Sequence, residues 1–176
     1  MKVLNYLKRK LVLYIVNHLL VGTRKCWFPI KRRLLNTLDE YHIGANTSIV
    51  GPIFCTGSFS CGADCWIGAN LNVWGNGKVV LGNNIDVAPD VTFFTGTHKV
   101  GNCFRRAGDG YNTKITIGDG CWLGGRSTFV NEIVVGGGVC VAACACVTKD
   151  MPADVLVGGV PAKIIKQLKD HEDVDK

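Results

Sequence analysis

The feature that most constrains this chain is a period of six. Stepping by six from Ile43 gives Ile43, Ile49, Cys55, Cys61, Ile67 and Val73. Two extra residues, read as Val79–Val80, shift the frame, and it resumes at Leu81, Val87 and Phe93. After a gap of eighteen it returns at Ile117, Leu123, Phe129, Val135, Val141 and Val147. All fifteen positions are apolar in a chain that is 47% apolar. Chance would give that roughly once in 100,000 trials, so the repeat is real. The following position is Gly at 44, 62, 68, 82, 118, 124 and 136, and Ala at 88 and 142. The fifth position is small or apolar throughout, as at Thr47, Cys65, Leu71, Ile85, Val91, Cys121, Ser127, Val139 and Ala145.

A strict six excludes an α-helix, whose 3.6-residue turn drifts off such a register. A hairpin array would show turn signals every eight to twelve residues. What remains is a coil with flat sides, each hexad supplying one short strand and one corner. Three hexads close a triangular turn of eighteen residues, predicted over 43–60, 61–78, 81–98, 117–134 and 135–152. Stacked turns lie about 4.8 Å apart and satisfy each other's backbone hydrogen bonds. Residues eighteen apart then superpose, as Ile43 with Cys61 and Ile117 with Val135. The expected fold class is an all-β solenoid, with residues 1–42 as a basic helical segment, 43–160 as the repeat domain and 161–176 as a C-terminal helix and tail. The helix is expected from Pro161 to Lys169, with proline at its start. Residues 99–116 break the repeat as a long polar loop, a place where function is commonly carried.

Charge is uneven along the chain. Residues 1–38 carry nine Lys/Arg and no Asp/Glu, while residues 39–176 carry eleven Lys/Arg and fourteen Asp/Glu, within a net charge of +6. A nucleic-acid groove would need its positive charge on the folded body, which is slightly acidic, so no nucleic-acid partner is expected. Residues 3–20 read as an amphipathic helix through Val3, Leu4, Leu7, Leu11, Ile15 and Leu19, and residues 31–38 as a second helical turn. Asn17, His18 and the absence of an Ala-x-Ala site argue against a secretory signal. Two readings of residues 1–38 stay open: a cap over the exposed end of the solenoid, or peripheral contact with anionic lipid. No run of eighteen apolar residues exists, so an ordinary spanning helix is not expected.

Nine cysteines, an odd number without zinc-type spacing, read as small buried hydrophobes in a reducing cytoplasm. Of four histidines, at 18, 42, 98 and 171, only His98 lies in the repeat region, directly before the long loop. One histidine cannot supply a three-histidine metal site, and no metal is expected. A neutral imidazole there can serve as a general base. Leu123-Gly-Gly-Arg126 offers backbone N–H groups at a corner with little side-chain cover. Asp86, Asp109 and Tyr111 are acceptor-side candidates by placement alone.

Ile117-Gly-Asp-Gly-Cys-Trp-Leu-Gly124, Val135-Gly-Gly-Gly-Val-Cys-Val-Ala-Ala143, Val147-Thr-Lys-Asp-Met-Pro152 and Gly158-Gly-Val-Pro-Ala-Lys163 together resemble the hexapeptide-repeat acyltransferases. Thr97-His98 in the right order narrows this to sugar O-acetyltransferases of the galactoside, maltose and Nod-factor type. The resemblance covers about residues 43–166. It implies a left-handed parallel β-helix, a homotrimer, acetyl-CoA as acyl donor and a small-molecule or oligosaccharide acceptor. It puts the catalytic base at His98 and an oxyanion-binding amide at Gly125. Trp122, Gly124, Gly125, Ala142, Ala143 and Thr148 match positions along the coenzyme, and Lys149 matches one that meets its phosphate end. Lys163 and Lys166 match positions at its phosphate end, where relatives tend to have arginine. Asn70, in Ala69-Asn-Leu-Asn72, matches the asparagine that holds the sugar hydroxyl. The acidic sugar ligand that follows in the family is missing from Val73–Lys78. Alternatives are N-acylation of an amino sugar, a serine-type acetyltransferase lacking the usual His-Ala-Thr-Gly segment, or a non-catalytic assembly subunit.

Overall fold

A computed structural model describes residues 2–168. Each turn of the coil contributes three strands. The first holds β1 (Tyr41–Ile43), β2 (Ser48–Ile49) and β3 (Ile53–Cys55), and the second β4 (Ser58–Cys61), β5 (Trp66–Ile67) and β6 (Leu71–Trp74). The third holds β7 (Lys78–Leu81), β8 (Asp86–Val87) and β9 (Thr92–Phe94). A hairpin of β10 (Gly96–Val100) and β11 (Ala107–Asn112) follows. The fourth turn holds β12 (Lys114–Ile117), β13 (Trp122–Leu123) and β14 (Thr128–Val130), and the fifth β15 (Ile133–Val135), β16 (Cys140–Val141) and β17 (Cys146–Val147). An incomplete sixth turn ends in β18 (Val155–Gly158) and β19 (Lys163–Gln167).

These strands stack into three parallel faces. The first is β1-β4-β7-β12-β15, the second β2-β5-β8-β13-β16-β18 with β19 at its edge, and the third β3-β6-β9-β14-β17. Register follows the hexad: Ile43 pairs with Cys61, Cys61 with Leu81, Leu81 with Ile117, and Ile117 with Val135. All fifteen hexad-leading side chains are buried, none more than 6% exposed. The fifth-position residues, Thr47 and Ser127 among them, are buried with them. Two inward residues per hexad therefore build the core. Cys55, Cys61, Cys65 and Cys121 belong to it, and burial pushes the Cys55 and Cys121 thiols up to about 11.

The second-position glycines answer to packing between turns. A Cβ on Gly44 would lie 2.3 Å from the Gly62 carbonyl carbon, and one on Gly118 2.6 Å from the Gly137 nitrogen. The left-handed residue of each corner falls two places later. Asn46, Asp64 and Asn84 take it at the corner between the first and second faces, with Gly120 and Gly138 continuing the column. Asn70, Asp90, Arg126 and Cys144 take it between the second and third faces. Asn and Asp tolerate this conformation; Arg126 at φ 60° and Cys144 at φ 61° are the unusual members.

Several expectations change. Val79 and Val80 are strand residues paired with Phe59 and Ser60. Because Cys55 pairs with Val73 and Ser58 with Lys78, the extra two residues lie in the Gly75–Gly77 corner. The excursion expected at 99–116 is the hairpin, leaving after Thr95 and returning at Thr113, whose N–H donates to the Thr95 carbonyl at 2.7 Å. The first strand of the coil begins at Tyr41, and its last parallel strand ends at Gly158. The C-terminal helix is instead β19, antiparallel to β18. β-Branched Ile164 and Ile165 suit a strand, and pairing satisfies the polar edge of β18 that a helix would leave bare. The tail from His171 lies outside the described residues.

The opening helices are α1 (Lys2–Tyr14), continued by a π-helical turn at Ile15–Leu19, and α2 (Trp27–Leu35), which starts earlier than the predicted 31–38 turn. They close the first turn of the coil edge by edge. The Asn36 side chain donates to and accepts from the Ile43 backbone on β1, at 2.9 and 2.7 Å. Asn17 does the same to Ile53 on β3, at 2.8 and 3.0 Å. At β2, the fully buried Lys31 ammonium donates to the carbonyls of Gly22, Ile49 and Val50. Each carboxamide thus imitates a neighbouring strand, and the capping reading of residues 1–38 holds for the inward side of this segment.

Candidate active site

The predicted site residues separate into two groups on different edges of the prism. The first is built on the hairpin, at the corner between the third and first faces. His98 sits on β10 opposite Gly110, where the missing side chain leaves room for the ring: a Cβ there would come within 3.4 Å of Cε1. Its Nδ1 lies 2.8 Å from the Gly108 carbonyl oxygen. A carbonyl only accepts, so Nδ1 carries the proton, and in the neutral ring the lone pair then falls on Nε2. The ring is exposed in the single chain. Tyr111 pairs with Thr97 one step along the hairpin, and Asp109 lies between Gly108 and Gly110, both exposed. Thr148 and Lys149 follow β17 at the same corner, where Asn131 Nδ2 reaches the Thr148 carbonyl at 3.4 Å.

The second group lies along the second face and its corner with the third. Trp122 projects from β13, flanked by Asp86 on β8 and Cys140 on β16, and is 59% exposed. Gly124 and Gly125 follow, with Ala142 and Ala143 one turn further. The two glycines differ. A Cβ on Gly124 would lie 2.5 Å from the Val141 oxygen, so its size is set by packing. A Cβ on Gly125 would meet only the Pro89 oxygen at 3.4 Å and Ala88 Cβ at 3.9 Å, so packing does not require glycine there. Neighbouring amides in this corner are used: Gly124 N–H donates to Val141, Arg126 to Pro89 and Cys144 to Gly125. Among the described residues, the N–H groups of Gly125 and Ala143 have no acceptor. Two free donors therefore stand one turn apart along the prism axis, a pattern suited to a polar, extended ligand. Lys163 and Lys166 stand on β19, at the edge of the same face, both exposed.

Asn70 belongs to this second corner. Its backbone is left-handed and its Nδ2 donates to Asp90 Oδ1 at 3.0 Å. Asp90 also faces Arg126, with 3.8 Å between Nε and Oδ2. Beside them lies a hollow of about 440 Å³ into which Asn17, His18, Asn70, Asn72 and Asp90 face. Sequence reasoning missed Asp90, Arg126 and His18. The side-by-side placement of Asn70 and Asp90 was open to it, since one turn of the coil separates them. His18 was not, because the path of the helical segment across the corner carries no repeat. Asp86 stands on the second face, away from this hollow, and Asp109 and Tyr111 are on the hairpin. Among the described residues no group of three metal-ligating side chains occurs.

No family model matches the chain. The galactoside O-acetyltransferase of Escherichia coli (strain K12) is 30% identical over 136 residues, 74% of this chain and 65% of that protein. The chain thus spans just under two thirds of that relative's length. A hexapeptide-repeat acetyltransferase from Vibrio cholerae, solved with acetyl coenzyme A, shares the fold at a TM-score of 0.78 and 23% identity, over 93% of this chain and 86% of its own. A galactoside acetyltransferase solved with coenzyme A does so at 0.78 and 24%, over 94% and 82%. The fold they share with this chain is the left-handed parallel β-helix. The coil and these relatives agree, and the chain belongs to the hexapeptide-repeat acetyltransferases.

Proposed function

We propose that this protein is an acetyl-CoA-dependent O-acetyltransferase acting on a hydroxyl of a sugar or polysaccharide precursor. The observation that carries the reading is the fixed tautomer of His98: Gly108 holds Nδ1–H and leaves Nε2 as a base. Acetyl-CoA supplies an activated acyl carbon. The free amides at Gly125 and Ala143, with only small side chains around them, fit a pantetheine arm laid along the corner. His98 Nε2 takes the proton of the acceptor hydroxyl as that oxygen attacks. The Gly125 N–H donates to the oxygen on which negative charge develops. His98 then returns the proton to the departing thiol, so transfer is direct and needs no acyl-enzyme. Trp122, Gly124, Ala142, Thr148, Lys149, Lys163 and Lys166 are assigned to the coenzyme. Asn70 is assigned to the acceptor, with Asp86, Asp109 and Tyr111 as lesser contributors.

His98 and Gly125 occupy different corners of one prism, so a single chain does not bring base and amide together. The reading therefore includes a homotrimer, in which the hairpin of one copy meets the second corner of the next. It also includes a cytoplasmic location, with peripheral contact at the inner face of a membrane through residues 1–38. The test is thiol release from acetyl-CoA against a panel of mono- and oligosaccharides. Acceptor-dependent release is expected, falling by about 10²–10⁴ in His98→Ala. No release with any acceptor, or full release by His98→Ala, overturns the reading.

A further inference from the structure

The inner side of α1 is spent on closing the solenoid, and its outer side is left without a partner. Val12 and Val16 are buried, and Arg9 reaches inward to Glu40 and to the Cys55 carbonyl at 2.6 Å. Opposite them, Leu4, Leu7, Leu11 and Tyr14 recur at spacings of three and four, with Val3 beside them. At 100° per residue these five form one stripe along the helix. Each is more than half exposed: Val3 and Leu4 72%, Leu7 and Tyr14 55%, Leu11 60%. Exposed lysines border the stripe on both sides. Lys10 stands 4.7 Å over the Tyr6 ring, and Lys8 reaches the Thr37 carbonyl on the other flank. No Asp or Glu occurs before Asp39, and the following Glu40 is held by Arg9.

We propose that this outer face of α1 lies in the interfacial layer of an anionic lipid membrane, with its leucines among the acyl chains and its lysines at the headgroups. Long basic side chains beside an apolar stripe suit that boundary, where the stem is buried and the ammonium meets negative charge. A second copy of the helix suits it less. Leu4, Leu7, Leu11 and Tyr14 would serve as a coiled-coil seam, but the flanking Lys8 and Lys10 would then face like charges. The stripe also spans too few heptads to sustain such a coil. Among the described residues no helix is long and apolar enough to cross a membrane, so the contact is superficial. This narrows the membrane contact of the preceding section to one helix face and one lipid class. It rests on the stripe and its charges and stands apart from acetyl transfer.

The experiment is flotation of the full chain with vesicles of phosphatidylcholine, with and without a one-third share of phosphatidylglycerol. Wild type is expected to float with the anionic vesicles, to remain unbound with phosphatidylcholine alone, and to lose affinity as salt rises. Leu7→Glu/Leu11→Glu is expected to reduce partition about a hundredfold or more, and Lys8→Glu/Lys10→Glu about tenfold or more. These positions are exposed, and circular dichroism and melting checks that both variants fold as wild type does. Failure of folded wild type to float with anionic vesicles overturns the proposal, as does flotation unchanged by the leucine variant. Equal binding to both vesicle types overturns the lipid class. A change of solution mass in the leucine variant, with no vesicle binding by wild type, makes the stripe a contact between copies and also overturns it.

Discussion

Gly124 and Gly125 adjoin in sequence, yet alanine should act differently at each. In Gly124→Ala the new methyl would lie 2.5 Å from the Val141 oxygen, 2.6 Å from the Ala143 nitrogen and 2.8 Å from the Ala142 carbonyl carbon. All three are backbone atoms of the next turn, so no side chain can swing aside. Reaching ordinary contact needs the turns to part by about 0.9 Å, which carries the 2.8 Å Gly124-to-Val141 hydrogen bond beyond useful range. One lost hydrogen bond at about 1 kcal/mol, plus overpacking strain of about 1–3 kcal/mol, gives about 2–4 kcal/mol. For a chain of this size that lowers the melting temperature by about 5–15 °C. In Gly125→Ala the methyl meets its nearest neighbour at 3.4 Å, and stability should stay within about 0.5 kcal/mol. The methyl would nevertheless narrow the slot beside the free amide, so acetyl transfer should fall about tenfold or more in a folded protein. Thermal melts by circular dichroism, paired with thiol release, measure both quantities. Equal loss of stability in the two variants would refute the argument that Gly125 is small for the slot and Gly124 for packing.

Burial lowers Lys31 to about 8 from 10.5. Between those values the unfolded chain holds a Lys31 proton that the folded chain has released, so this residue's contribution to stability rises with pH across that window, while the buried thiols work the other way above about 9; the stability difference between wild type and Lys31→Met, from melts at each pH, should therefore rise over the window. Asn17→Ala and Asn36→Ala should each cost about 1–2 kcal/mol and combine nearly additively in denaturant titrations, because they close different strands. Cys26, Cys103 and Cys144 are exposed and should react with a thiol reagent in the native state, whereas Cys55, Cys61, Cys65 and Cys121 should react only on unfolding. The Cys144 N–H donates to the Gly125 carbonyl at 2.9 Å, so acetyl-CoA should slow modification of Cys144 and spare the rates at Cys26 and Cys103.

The repeat made the solenoid readable because each hexad answers to one local demand: an inward apolar residue, then a residue small enough for the neighbouring turn. That logic located Ile43 over Cys61 and every later pair. It failed where the demand was not local. Gly75–Gly77 and Val79–Val80 are equally compatible with two extra residues until Phe59 claims Val79 as its partner. Ile164 and Ile165 looked helical because Pro161 precedes them; the open edge of β18, invisible without the coil, made them a strand. His98 was found by elimination among four histidines, but its Gly108 partner was not, since only the hairpin brings residues ten apart together. The twofold division of the site was also hidden. Linear motifs do not reveal which edge of a three-sided body each one occupies.

The closure at both ends of the coil has a bearing on how copies of this chain can associate. Carboxamides and an ammonium occupy the strand edges of the first turn, and a reversed strand occupies the last edge of the second face. Among the described residues, these covered edges offer no template on which another prism could continue the stack, which disfavours end-to-end pairing through them.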